Sequence, residues 1–332
     1  MSPSELKEYL RQLVIDEIAI SVMIWGPPGI GKSSIVQQIA DESDRQFIDV
    51  RLSQLAPTDL RGLPVPKAGI THWFPPEFLP QEGRGILFLD EINMAPPAMQ
   101  GVAQQLILDR RVGNYKLPAG WMIWSAGNRK EDRASVFDMP SPLANRFIHL
   151  QVEATIEDFR RYAFEQGISE KLIGFLSFRQ DLLHKLNADE MAWPSPRSWE
   201  MAERLHHSGL DVEPSVGAGA AAEYYAYLSI TENIPDIDGI VSGNKNPAFP
   251  SETSLRYATV MSLVSRSDSS DKALHAIRWL VSKALPEWTQ LYATDAFPRL
   301  RAQGYLEDVH KEILQDDKLR GFLTEFMQLV AA

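Results

Sequence analysis

The 332-residue sequence contains no cysteine. That excludes disulfides and thiolate metal sites, and it fits a cytoplasmic protein. No apolar run reaches about 18 residues, so no membrane-spanning helix is expected. The seven histidines show no HExxH or comparable metal spacing, and the adjacent His206 and His207 point to different faces of a helix. Cations are in short supply: 33 Lys and Arg against 44 Asp and Glu leave a net charge of −11. A broad nucleic-acid surface needs clustered cations, so nucleic acid is disfavoured as a partner, although a local basic pore fits within an acidic whole. Neither a long repeat nor a low-complexity tract is visible. The opening stretch, MSPSELKEYLRQLVIDE, is an amphipathic helix pattern of mixed charge. It reads as neither a signal peptide nor an arginine-rich transit peptide.

What is present is average globular composition, 44% hydrophobic and 23% charged, at a length comfortable for two domains. In the first half, AISVMIW (19–25), QFIDVRL (46–52), GILFLD (85–90), WMIWSAG (121–127) and ANRFIHLQV (144–152) are short apolar runs between turn residues. Continuous rather than alternating hydrophobicity predicts strands covered on both faces, as in a parallel α/β sheet. Helical patterns lie between them, at KSSIVQQIADESD and at PPAMQGVAQQLILDRR, whose prolines suit a first helical turn. After about residue 155 the patterns are helical only, among them EKLIGFLSFRQDLLHKL and LEDVHKEILQDDKLRGFLTEFMQLV. The expected architecture is an α/β, P-loop NTPase core with a parallel sheet over residues 1–153. An all-helical lid domain and C-terminal extension follow over 154–332.

The chemistry is concentrated in three strand ends. GPPGIGKS (26–33) fits G-x-x-x-x-G-K-[ST] and stands between a predicted strand and a predicted helix, the context the motif requires. Gly26, Pro27, Pro28, Gly29, Ile30, Gly31, Lys32, Ser33 and Ser34 are the expected nucleotide-binding residues. Backbone N–H groups there form an anion nest, Lys32 reaches the β- and γ-phosphates, and the Ser33 hydroxyl coordinates Mg²⁺. The second strand end, GILFLDE, places Asp90 to hold Mg²⁺ and Glu91 to polarise the attacking water of ATP hydrolysis. The third, WSAGN, offers the Asn128 amide to the γ-phosphate or the water. Eighteen residues later Arg146, in MPSPLANRF, has no obvious carboxylate partner nearby in sequence. It reads as an arginine finger for the γ-phosphate held by a neighbouring subunit.

Together these stretches resemble an AAA+ ATPase, with Walker A at GPPGIGKS, Walker B at ILFLDE, sensor 1 at Asn128 and the finger at Arg146. More narrowly, LAPTDLRGLPVP, HWFPPEFLP, LFLDEINMAPPAMQ, LILDRRVGNYKLPAGW and AGNRKEDR resemble the MoxR group of the helix-2 insert clade. Gly31 departs from the alanine of many MoxR-group loops and keeps the general form. The resemblance implies a helix-2 insert at 62–75, turning at Lys67–Gly69, and a pre-sensor-1 hairpin at 110–118, for which Gly113 and Asn114 also form a plausible turn. His72, Trp73 and Phe74 then either pack the insert or meet a client. It also implies a sensor 2 arginine at Arg197. Proteins of this kind act as ring-forming, commonly hexameric chaperones. They remodel a client with ATP, often alongside a partner carrying a von Willebrand factor A domain. Two alternatives stand beside this reading. One is an ATPase subunit of a nucleic-acid machine, kept open by Lys67, Arg110, Arg111 and Lys116. The other is a scaffold whose assembly, not its turnover, is the output.

Overall fold

The computed structural model describes residues 1–129, 137–187 and 190–330. Contacts divide the chain into two compact units, Met1–Thr155 and Ile156–Ala332.

In chain order the first unit comprises α1 (Pro3–Ile15), β1 (Val22–Trp25), α2 (Lys32–Glu42), β2 (Gln46–Arg51), α3 (Pro57–Arg61), β3 (Leu63–Lys67) and β4 (Ile70–Phe74). There follow β5 (Gly85–Asp90), α4 (Pro97–Asp109), β6 (Arg111–Val112), β7 (Tyr115–Lys116), β8 (Trp121–Gly127), α5 (Ser141–Ala144) and β9 (Ile148–Gln151). Five strands form one parallel sheet in the order β2-β5-β8-β1-β9. This is the P-loop NTPase architecture expected from the continuous apolar runs.

Alternate side chains of the three central strands serve two cores. Ile86 and Phe88 of β5 and Trp124 of β8 pack with Leu6, Leu10, Val36 and Ile39 from α1 and α2. Leu87, Leu89 and Ile123 face the other way, onto Met99, Val102, Ala103 and Leu106 of α4. Strands buried on both faces cannot show a polar alternation, which explains the unbroken runs. The runs overstate strand length at the first and fifth strands: residues 19–21 lie outside β1, and in the run 144–152 the strand β9 begins only at Ile148, after the end of α5 and a turn.

Two hairpins leave this frame. β3 and β4 pair antiparallel, joined by Ala68 (φ 50°) and Gly69 (φ 77°), the two left-handed residues a tight hairpin favours. The β6–β7 hairpin turns at Gly113. It is tied down: Tyr115 donates its hydroxyl to the Pro80 carbonyl, and Arg110 Nη2 donates to the carbonyls of Pro118 (3.0 Å) and Trp121 (2.6 Å).

The second unit is helical among the described residues, from α6 (Ile156–Glu165), α7 (Glu170–Phe178) and α8 (Pro196–His207) through α9 (Glu213–Val216), α10 (Ala218–Thr231) and α11 (Ile237–Val241). It continues with α12 (Thr253–Arg266), α13 (Ser270–Lys283), α14 (Pro286–Ala302), α15 (Leu306–Gln315) and α16 (Asp317–Val330). Two apolar stripes that read as continuous helices are broken. The first ends at Arg179, whose guanidinium forks onto Asp181 with two 3.1 Å bonds, an i,i+2 pairing that an α-helix does not present. Nearby, the Leu182 carbonyl accepts the Trp199 indole N–H at 2.7 Å. The second breaks at Asp316, which is extended and accepts the N–H groups of Lys318 and Leu319 on its carboxylate. No helix among the described residues is long and apolar enough to cross a membrane.

One buried ion pair fixes α6 to α14: Arg160 Nε donates to Asp295 Oδ2 at 2.8 Å, with both side chains nearly inaccessible. Burial raises the Asp295 pKa, and Arg160 opposes that rise only in part. The fold therefore holds a proton there more readily than the unfolded chain does. This group's contribution to stability declines as pH climbs from the ordinary carboxylate value to the raised one. Arg160→Met leaves the carboxylate buried without its partner and is expected to cost about 3–5 kcal/mol. The check is thermal unfolding, with a lower midpoint for the second unit's transition.

Candidate nucleotide site

The P-loop follows β1 directly, and α2 begins at Lys32. Gly29 (φ 85°) and Gly31 (φ 89°) adopt left-handed conformations. Side chains resist that geometry, so these positions let the backbone curl into a nest. Pro27 and Ile30 are buried, Pro28 is half-buried, and Ser34 is exposed on α2.

Lys32 is buried, and its ammonium donates to the carbonyls of Gly26 (2.7 Å) and Pro27 (3.0 Å) and to Asn128 Oδ1 (3.1 Å). The bond to Asn128 spans the sheet's centre, because β8 lies between β5 and β1. The Ser33 hydroxyl donates to Asp90 Oδ2 at 3.0 Å. Asp90 Oδ1 accepts the N–H of Glu91 at 2.8 Å. Lys32, Ser33, Asp90 and Asn128 thus converge at the C-terminal ends of β1, β5 and β8, where open α/β sheets bind ligands.

Glu91 has a left-handed backbone (φ 56°), which for a non-glycine residue costs about 1–3 kcal/mol and is characteristic of functional positions. The carbonyl of Glu91 accepts N–H groups from Met94 and Ala95, and its carboxylate accepts the Ser53 hydroxyl. Ser53 lies just past β2, in the 3₁₀ turn Leu52–Gln54.

Two further residues lie beyond what motif spacing shows. Asn93 is buried and donates Nδ2–H to the Asn128 carbonyl at 2.7 Å. Its own backbone carbonyl accepts the N–H of Phe137 at 2.7 Å. A Cβ on Gly127 would fall 2.4 Å from Asn93 Oδ1, so glycine there admits the clamp. Asp49 of β2 has a raised pKa. Desolvation is the first cause and the charge of Asp90 the second, with Arg51 opposing and Glu91 adding.

Arg146 stands elsewhere on the first unit. It is exposed, on the turn between α5 and β9, and makes no ion pair among the described residues. Arg197 lies in the second unit, exposed in the first turn of α8. Residues 130–133 of the AGNRKEDR stretch lie outside the described residues.

A five-stranded parallel sheet with a lysine-bearing P-loop and an Asp–Glu strand end defines the class as a P-loop NTPase fold. Residues 21–147 match the family model of the AAA domain, dynein-related subfamily, so the first unit carries an AAA domain. Over 162 residues the chain is 25% identical to Midasin of Giardia intestinalis, spanning 46% of this chain and 3% of that protein. Among solved structures, a point mutant of RuvB from Thermotoga maritima is 16% identical, with 87% of this chain and 86% of that chain covered and a TM-score of 0.44. NtrX from Brucella abortus in complex with ADP is 17% identical, with 93% and 68% covered and a TM-score of 0.39.

Proposed function

We propose that this chain is a Mg²⁺-dependent ATPase of the MoxR type. It works as a ring, expected to be hexameric, whose ATP sites are each completed by a neighbouring subunit, and it remodels a client protein. One observation carries the reading. Lys32, Ser33, Asp90 and Asn128 converge within hydrogen-bond distances, while Arg146 is exposed and makes no ion pair among the described residues.

The residues present fit ATP with Mg²⁺. The Lys32 ammonium donates to two loop carbonyls and an amide oxygen, acceptors that phosphate oxygens can replace. Ser33 Oγ and Asp90 Oδ2 offer two hard oxygen donors 3.0 Å apart. Mg²⁺ favours such sparse protein ligation, completing its shell with phosphate and water. When bound, the ion neutralises phosphate charge.

The chain's own residues do the rest. Lys32 and the loop N–H groups hold the phosphates, and Asn128 orients the attacking water. Glu91, once released by Ser53, takes the water's proton. Arg146 of the neighbouring subunit stabilises the charge that spreads over the transferring phosphoryl group. Arg197 of the second unit is proposed to sense the same phosphates and pass hydrolysis to the helical lid.

The β3–β4 hairpin supplies a surface for a client. Leu63 faces Phe74 and Lys67 faces Ile70 across the ladder. Leu63 (71%), Ile70 (66%) and Phe74 (53%) are widely exposed, as is His72, whereas Trp73 is half-buried. Apolar side chains so displayed suit a protein partner. A partner with a von Willebrand factor A domain belongs to the same proposal. The nucleic-acid alternative loses one of its four cations, because Arg110 is turned inward onto backbone carbonyls.

The test is ATP turnover against protein concentration, with mass determined with and without ATP. Specific activity is expected to rise steeply as larger assemblies form. Constant activity in a monomer would overturn the shared-site reading.

A further inference from the structure

We propose that His149 is a positioning residue for Arg146: its imidazole ties the turn that presents the finger to the start of the P-loop. The inference rests on the shared-site reading above and assigns that site an additional residue.

Arg146 sits between two buried anchors, Leu143 and Phe147. Its backbone N–H donates to the Leu143 carbonyl at 3.1 Å, and the N–H of Phe147 donates to the Ala144 carbonyl at 3.2 Å. The turn is thus tight, and its two apolar anchors are buried in the core. His149 of β9 adds a polar tie, with Nε2 2.8 Å from that same Ala144 carbonyl. Its Nδ1 is 2.8 Å from the indole Nε1 of Trp25.

The indole N–H can only donate, so Nδ1 must accept. Nε2 therefore carries the imidazole proton and donates to Ala144. The His149 and Trp25 rings lie side by side and nearly coplanar, 12° apart with centroids at 6.1 Å, as the in-plane bond requires. The Phe147 ring meets the imidazole at a steep angle, 6.2 Å and 69°. Both nitrogens are committed, although His149 is solvent-exposed.

Trp25 is the last residue of β1, and the next residue, Gly26, accepts Lys32 Nζ on its carbonyl. One imidazole therefore links the loop that holds this subunit's nucleotide to the turn that serves the neighbour's. Releasing Ala144 lets that turn move relative to the P-loop. Displacements of about 1 Å at a charge-stabilising group cost up to roughly 100-fold in rate.

The experiment measures turnover and ATP affinity in His149→Phe and His149→Gln, alone and mixed with Glu91→Gln subunits. Phenylalanine keeps a flat aromatic ring and loses both bonds; glutamine can accept from Trp25 with Oε1 and donate to Ala144 with Nε2. H149F is expected to lose about 10- to 100-fold in kcat with ATP affinity within about twofold, and H149Q to recover most of the loss. Mixing H149F with E91Q should restore hydrolysis, because E91Q subunits lend correctly placed fingers to H149F sites. Normal kcat in H149F, a parallel loss of ATP binding, or no recovery on mixing would each overturn the proposal. Should H149F not assemble, Trp25→Phe removes one of the same bonds, and a normal kcat there would overturn it. An R146A and E91Q mixture run alongside separates the two ideas. If that pair recovers and the H149F pair does not, the shared site stands and the role of His149 falls.

Discussion

Arg146→Ala is expected to lower ATP turnover by about 10³- to 10⁵-fold while nucleotide affinity stays within about twofold. Its exposed guanidinium makes no ion pair among the described residues, so alanine removes no structural partner. Leu143 and Phe147, both buried, keep the turn itself in place. The phosphates are held by the P-loop and Lys32, which the substitution leaves untouched. The measurement is phosphate release at saturating ATP beside equilibrium binding of a fluorescent ATP analogue. Wild-type hydrolysis in R146A would make Arg146 an ordinary surface cation.

Glu91→Gln is expected to lower turnover by about 10²- to 10⁴-fold, the range of a lost general base. Glutamine matches glutamate in size and can still accept the Ser53 hydroxyl, so the left-handed turn at residue 91 should persist. Asp90 and Ser33 remain, and ATP should stay bound and unhydrolysed in assembled rings. Mass measurement with ATP should show the assembly outlasting that of the unsubstituted protein. If E91Q also supports biological function fully, assembly rather than turnover is the output.

The frame of the site is legible from sequence because it is local. Gly26 through Ser33 carry their own spacing, and Asp90, Glu91 and Asn128 each follow an apolar run buried on both faces of the sheet. Ser53 and Asn93 are not legible in this way. Ser53 reaches Glu91 only because β2 pairs with β5 in a register that sets Arg51 opposite Asp90. Asn93 reads as a loop former, and its clamp on Asn128 depends on the missing side chain of Gly127. The breaks at Arg179 and Asp316 are hidden for a related reason. A stripe of apolar residues reports which face is buried, while capping carboxylates and a borrowed carbonyl decide where the helix stops. His149 likewise looks like one polar residue in an edge strand until Trp25 and Ala144 are brought to its two nitrogens.

The measurement that bears most directly on the shared site is hydrolysis by a mixture of R146A and E91Q subunits. Each variant alone should be nearly silent. Mixed assemblies, verified by mass, should regain activity, because an R146A subunit with its own Glu91 can receive the finger of an E91Q neighbour. Mixed rings that form and stay silent would show that Arg146 acts within its own subunit or not at all.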